Sequence, residues 1–234
     1  MCASATWKAV PEPLSEDELM ERAMSISGLS LGELSENASA VMPGSMKGAK
    51  GYAGKLLELY LGATGSSRPV CDFERIHVEL KSIPVGPDLR PLESTYVCMA
   101  HLTGTAGLTW EKSSVRHKLS RVLFFPVEGD RAIPLGERRL GTPFFWSPDR
   151  EEENVLRSDW EEHLEKISEG RILEITAHDG VALQIRPKAA DSTVMIRAVG
   201  SDGGIVMTCP RGFYLRRSFT EKILRKAFML CSGE

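Results

Sequence analysis

The chain has 234 residues, 42% of them hydrophobic, and a net charge of −3. That excludes a low-complexity or disordered chain and suits one globular domain, or one domain in two lobes, with a sizeable core. The negative balance weighs against nucleic-acid binding by bulk electrostatics, so any such binding has to rest on local distribution.

The distribution is uneven. Residues 147–180 hold eleven acidic residues against four Lys/Arg, and residues 181–228 hold nine Lys/Arg against three acids. A basic C-terminal quarter can meet a phosphate backbone, with Arg216 and Arg217 as candidate contacts, or it is an unevenly solvated surface. Five cysteines (Cys2, Cys71, Cys98, Cys209, Cys231) show neither a CxxC pair nor a zinc-type spacing. An odd count of scattered thiols reads as reduced cysteines with packing roles. The opening "MCASATWKAVPEP" lacks a basic segment followed by an apolar stretch, and no run approaches the ~18 apolar residues of a membrane helix. A soluble, cytoplasmic protein without membrane contact is expected.

In chain order, "SEDELMERAMSIS" (15–27) opens with Ser15 and Glu18, a capping-box pair, and continues as an amphipathic helix. "SLGELSENA" from Ser30 predicts a short second helix, and "GYAGKLLELYLG" (51–62) a half-buried one ending at Gly62. Residues 76–83, "IHVELKSI", alternate as a strand: Ile76, Val78 and Leu80 on one face, His77, Glu79 and Lys81 on the other. Further strands are predicted at 94–100, 121–127, 172–176 and 181–186. A long acidic helix is predicted over 147–170 with Ser147 as cap, and a basic helix over 219–231. The mixture predicts an α/β class with a mixed sheet.

The stretch "CDFERIHVELKS" (71–82) carries the chemistry. Residues two apart in a strand point the same way, so Glu79 and Lys81 project from one face. Asp72 lies just upstream, in a segment able to pair as a hairpin and bring its carboxylate alongside. Two carboxylates and a main-chain carbonyl make an all-oxygen site that suits Mg²⁺, with Mn²⁺ as a substitute. A lysine beside them can hold an attacking water and offset charge on a phosphorane-like transition state. Asp–x6–Glu–x–Lys is the pattern of PD-(D/E)xK nucleases. Taken alone the pattern fits a solvated strand face more readily, and Glu58, on the preceding helix, is either an extra acid for that site or an ordinary helix residue.

The wider sequence resembles one nuclease family. "SGLSLGELSE", "KGYAGKLLELYLGATGSSRPVCDFERIHVELKSIPV", "RPLESTYVCMAHLTG", "TWEKSSVRHKLSRVLFFPVEG", "LQIRPKAA" and "PRGFYLRRSFT" are together similar to the MutH family. Those are the nicking endonucleases of methyl-directed mismatch repair. The similarity runs from about Leu19 to Phe228. It implies a restriction-endonuclease-like mixed β-sheet flanked by helices, in two lobes around a DNA-binding cleft. The expected organisation is a single endonuclease domain, with a catalytic lobe over roughly 1–108 and a recognition lobe over roughly 109–234.

The resemblance implies that Asp72, Glu79 and Lys81 form the catalytic centre, with Asp72 and Glu79 as metal ligands. It adds Glu58 as a further acid and Lys118 as a catalytic-site lysine. Lys50 matches a lysine near the DNA. Arg186, Pro187 and Lys188 match the base-reading loop, and Tyr214 the residue that monitors adenine methylation. Tyr52 and Tyr96 stand where other aromatics are usual, and the segment near Met42–Lys47 matches less well.

The implied activity is Mg²⁺-dependent nicking of the unmethylated strand at hemimethylated GATC in double-stranded DNA. A monomer activated by the mismatch-repair ATPase MutL is expected. Two alternatives stand: a GATC restriction enzyme cutting both strands, though such enzymes are usually longer, and an inactive DNA-binding module of the same fold.

Overall fold

A computed structural model describes residues 10–43, 51–65, 70–189, 191 and 193–229. Two compact units emerge, each from two chain segments: Met1–Glu93 with Arg121–Trp146, and Ser94–Ser120 with Ser147–Glu234. The sequence reading draws one boundary near residue 108. In the structure residues 94–120 and 121–146 instead belong to alternate units.

In the first unit, helices α1 (Glu16–Ser25), α2 (Leu31–Asn37) and α3 (Tyr52–Leu61) pack with strands β1 (Glu79–Val85), β3 (Val122–Glu128) and β4 (Phe144–Trp146). Ser15 caps α1 by accepting the Glu18 N–H, while the Glu18 carboxylate accepts the N–H of Leu14 rather than that of the cap. Ser30 and Glu33 close a complete capping box on α2. Two orphan N–H groups are satisfied at that helix start. The apolar faces of the three helices supply Leu19, Ala23, Leu31, Leu34, Leu56, Leu57 and Leu61 to one core, which Phe73, Val78, Leu80, Leu123 and Phe125 complete.

The sheet runs β1-β3-β4, with β1 parallel and β4 antiparallel to β3. The central strand β3, "VLFFPVE", is buried up to its final glutamate. A continuous apolar run is what a strand covered on both faces requires.

The second unit holds β2 (Thr95–Met99), β5 (Leu183–Pro187) and β8 (Arg211–Leu215) in the antiparallel order β2-β8-β5. A separate two-stranded ribbon pairs β6 (Ile196–Val199) with β7 (Ile205–Thr208). Its helices are α4 (Ser114–Leu119), α5 (Arg150–Ser168) and α6 (Arg217–Met229). α5 buries Leu156, Trp160, His163 and Ile167, and the Trp160 ring lies 5.9 Å from that of Trp110.

The mixed α/β class matches the expectation, with local corrections. The strand expected from Ile76 begins at Glu79, and residues 74–77 form a turn in which His77 takes φ +54°. Residues 172–174 form a turn and 175–176 are irregular, not a strand. α5 is capped by Asp149 in a capping box with Glu152, not by Ser147. The last helix starts at Arg217. None of the described helices is long and apolar enough to cross a membrane.

Candidate active site

In the first unit a hairpin gathers the acids. The Phe73 N–H donates to the Val78 carbonyl at 2.9 Å, and the Val78 N–H returns to Phe73 at 3.2 Å. With residues 74–77 turning between them, Asp72 folds back against β1, and its Oδ2 accepts the Leu80 N–H at 2.9 Å. The Asp72 carbonyl in turn accepts the N–H groups of Thr64 and Gly65 at 2.8 and 3.0 Å. Its carboxylate is therefore aimed by bonds on both sides of its own backbone.

Glu79 is fixed by the parallel ladder, where it pairs with Val122 and its N–H donates to the Arg121 carbonyl at 3.0 Å. Two residues on, Lys81 leans back along the same face and sets its Nζ 2.6 Å from Glu79 Oε1. The Glu79 side chain is only 2% exposed and that of Lys81 13%. Such a pair is held by a charge-assisted hydrogen bond against a large desolvation cost. Nothing in apolar packing asks for it, which points to a chemical role.

Glu58 joins the group from α3. Burial pushes its carboxyl above the ordinary glutamate range, and the negative charges of Asp72 and Glu79 push it further, while Lys81 and Lys55 pull it down. Three carboxyls therefore share one electrostatic neighbourhood with an excess of negative charge. A divalent cation is the group that such a donor set favours, since oxygen ligands suit Mg²⁺. Glu58, Asp72 and Glu79 do not form a ready three-carboxylate ligand set, and no such cluster of His, Cys, Asp or Glu occurs among the described residues. Two carboxylates with water completing the shell remain within what Mg²⁺ accepts.

The structure thus brings Glu58, Asp72, Glu79 and Lys81 together. Lys118 lies on α4 in the second unit and is buried. Lys50 and the segment from residue 44 to 47 lie outside the described residues.

The second unit gathers the other set. On one face of the β2-β8-β5 sheet, Tyr96 pairs with Tyr214 across β2 and β8, their rings 5.3 Å apart edge to face. Arg186 sits opposite Gly212 on β8. With no side chain there, the guanidinium reaches the Tyr214 ring at 5.8 Å, and its Nη1 donates to Ser94 Oγ at 2.8 Å. Lys188 Nζ lies 4.3 Å from the centroid of Tyr96. A Cβ at Gly212 would come within 2.9 Å of the Tyr96 ring, so glycine is what lets that ring lie across the strand. Pro187 falls on β5, an edge strand where its missing N–H is tolerated. Arg186, Pro187 and Lys188 are exposed and Tyr214 half-buried. The result is a face of alternating cations and rings, open to a ligand.

The composition signal did not single out Ser94, Gly212 or Asp159. Gly212 had a readable sign, a glycine inside the strand-like "RGFYL". Arg216 is corrected: its Nη1 donates to the carbonyls of Ala177, His178, Asp179 and Gly180 at 2.9–3.3 Å. It organises a loop, and its charge is directed at main-chain oxygens rather than at a phosphate. Arg217 is exposed at the start of α6.

Known proteins resemble this chain along most of its length. The family described as DNA mismatch repair enzyme MutH matches residues 61–159. A protein of Vibrio parahaemolyticus named DNA mismatch repair protein MutH is 55% identical over 96% of this chain and 99% of its own length. Relatives of the same name are 54% identical in Vibrio campbellii, over 96% and 99%, and 51% identical in Yersinia enterocolitica, over 93% and 96%. Identity at this level across nearly the whole of both chains leaves one assignment: the chain belongs to the MutH family.

Proposed function

We propose that this chain is a mismatch-repair endonuclease that nicks the unmethylated strand of DNA at hemimethylated GATC. The observation that carries the reading is the cluster of Glu58, Asp72, Glu79 and Lys81, in which Asp72 and Glu79 are buried and Glu58 and Lys81 half-buried with no packing rationale. Asp72 and Glu79, with a main-chain carbonyl of β1, would hold Mg²⁺. When bound, the ion supplies polarisation of the scissile phosphate and acidification of a bound water.

The chain's own residues do the rest. Asp72 is pre-aimed by Leu80, Thr64 and Gly65, so little ordering is left to be done at the moment of reaction. Lys81 directs an ammonium at the same point, where it can orient the attacking water and balance the charge that develops as the new P–O bond forms and the leaving oxygen departs. Glu58 adds negative charge that favours a cation in this neighbourhood.

In the second unit, Arg186 and Lys188 are the donor types that read guanine O6 and N7 in the major groove. Tyr214 and Pro187 supply apolar surface where adenine N6, methylated or not, can be sensed by contact. Relatives named as mismatch repair proteins support a place in mismatch repair, and activation by a MutL-type ATPase is part of the proposal. We further propose that the protein acts as a cytoplasmic monomer.

One assay tests the reading. Circular DNA with a single GATC, unmethylated, hemimethylated or fully methylated, is incubated with the protein and Mg²⁺. Nicked circles from the hemimethylated form, with the fully methylated form spared, are the expected result. Linear product would indicate a double-strand cutter, and binding without cleavage an inactive module. Full activity in EDTA would remove the metal from the mechanism.

A further inference from the structure

The segment entering β5 is held with unusual redundancy. Asp159, on α5 and 5% exposed, lies among main-chain N–H groups. Its Oδ2 accepts from Ala182 at 2.6 Å, Leu183 at 2.8 Å and Val181 at 3.0 Å, and its Oδ1 accepts from Val181 at 2.9 Å. One helical turn further on, His163 Nε2 lies 3.5 Å from the Leu183 carbonyl. α5 therefore addresses both the donor and the acceptor of Leu183, the first residue of β5.

From the other side, Arg216 donates to the carbonyls of residues 177–180, and its N–H donates to the Ala182 carbonyl at 2.8 Å. Between them Gly180 takes φ +81°, and a Cβ there would lie 1.9 Å from the Leu183 carbonyl oxygen and 3.2 Å from the Asp159 carboxyl carbon. Any other residue at that point is both strained and obstructed.

A buried carboxylate that takes three consecutive amides is a costly device for a loop. What it fixes is the register of β5. Leu183 pairs with Leu215, which sets Gln184 against Tyr214, Arg186 against Gly212 and Pro187 against Arg211. A slip of one residue would carry Arg186 and Lys188 to the opposite face of the sheet, away from the two tyrosine rings. Short edge strands have little else to prevent that.

We propose that Asp159 is a positioning residue for base recognition: it sets the register of β5, and through it the placement of Arg186 and Lys188, so that its loss relaxes sequence discrimination. The inference rests on the reading of β5 as the base-reading strand. It assigns Asp159 no contact with DNA and no part in the chemistry. Charge alone does not do the work; the oxygens must be where three N–H groups converge.

The test uses the full chain and plasmids carrying GATC or a site altered at one base. Initial nicking rates are measured for Asp159→Ala, Asp159→Asn, Arg186→Ala and the unaltered protein. In Asp159→Ala the ratio of rates, GATC over altered site, is expected to fall about tenfold, within the range set by losing one good base contact. Asp159→Asn keeps one acceptor oxygen and is expected to fall between, and it decides the matter alone if the alanine variant does not fold. A fall in both rates by one common factor, with the ratio unchanged, would show that Asp159 only stabilises the unit and would overturn the inference. If Arg186→Ala lowers the ratio and the Asp159 variants do not, the inference fails and the reading of β5 stands. If Arg186→Ala does not lower it, that reading fails and takes the inference with it.

Discussion

The two units treat charge in opposite ways. In the first, carboxyls are gathered and buried: Glu79 is 1% and Asp72 8% exposed, and Glu58 is pushed toward its neutral form first by burial and then by the charges of Asp72 and Glu79. In the second, exposed cations are laid on half-buried aromatic rings, with Arg186 over Tyr214 and Lys188 over Tyr96. The first arrangement gathers carboxyls in one place, where a bound cation would offset their mutual repulsion. The second is comfortable by itself and offers donors without strain, since each cation–π contact contributes about 0.5–1 kcal/mol at exposed sites. On the proposed function, chemistry and reading would thereby be separated: one unit gathers like charges, the other spreads cations over rings.

The comparison breaks most sharply at Glu79. Asp72→Asn and Glu79→Gln preserve shape and remove charge, and each is expected to lower the nicking rate by about a thousandfold. Circular dichroism and DNA binding should be unchanged, which a gel-shift alongside the nicking assay would check. Asn is preferred to Ala at position 72, because Ala would strand the buried Leu80 N–H at a cost of about 1–3 kcal/mol. Retained nicking in Glu79→Gln would dissolve the contrast between the units.

On the reading side, Arg186→Ala should reduce preference for GATC over a singly altered site by about 5- to 150-fold, the worth of one bidentate contact. The maximal rate on saturating DNA should change far less. Tyr214→Ser is expected to act on methyl discrimination. Packing against a methyl is worth roughly 1–3 kcal/mol, so the ratio of rates on unmethylated and methylated strands should shrink by up to about 100-fold while overall activity also falls. An equal loss on both strands would make Tyr214 a general positioning group.

Smaller effects bear on stability. Glu58 has a raised folded pKa, so its contribution is fully present below its ordinary value of 4.5 and is lost as pH rises through the raised value. Glu58→Gln should therefore raise the melting temperature at pH 8 and give no gain near pH 4. His163 is the reverse case. Burial lowers its pKa from 6.5, partly opposed by the Leu183 carbonyl and Asp159, so its contribution is present above 6.5 and lost as pH falls through the lowered value. His163→Gln should flatten the melting curve's dependence on pH below 6.5. A melting temperature with unchanged pH dependence would refute either assignment.

Much of the first cluster was legible because its signals are local. Asp72 and the Glu79–Lys81 alternation lie within one hairpin, and only the strand's start was misjudged, because His77 adopts a left-handed turn that periodicity does not show. The second cluster was legible through resemblance rather than pattern. Asp159 was hidden inside an acidic helix whose other carboxylates are mostly exposed, Glu152 in the cap aside, and nothing in composition distinguishes a residue that accepts three amides. "ILEIT" reads as a strand, and Ile172 and Ile175 are indeed buried, yet from a turn and an irregular segment. β6 and β7 were missed for the converse reason: Ile205, Val206 and Met207 are all exposed and give no alternation. The exchange of residues 94–120 and 121–146 between units is a long-range fact with no local mark.

The hairpin between Phe73 and Val78 has a consequence for how the molecule is made. Its ends are joined across only the four residues 74–77, and Glu58, Asp72, Glu79 and Lys81 all come from one short continuous stretch of chain. Closing so small a loop costs little chain entropy, and contacts of low sequence separation form fast. The parallel pairing of β1 with β3 joins residues about forty positions apart, Glu79 to Val122, and must instead wait until the chain has been made as far as β3. During synthesis the hairpin can therefore draw Asp72 toward Leu80 before β3 has been made, and the later arrival of that strand locks a geometry already sketched.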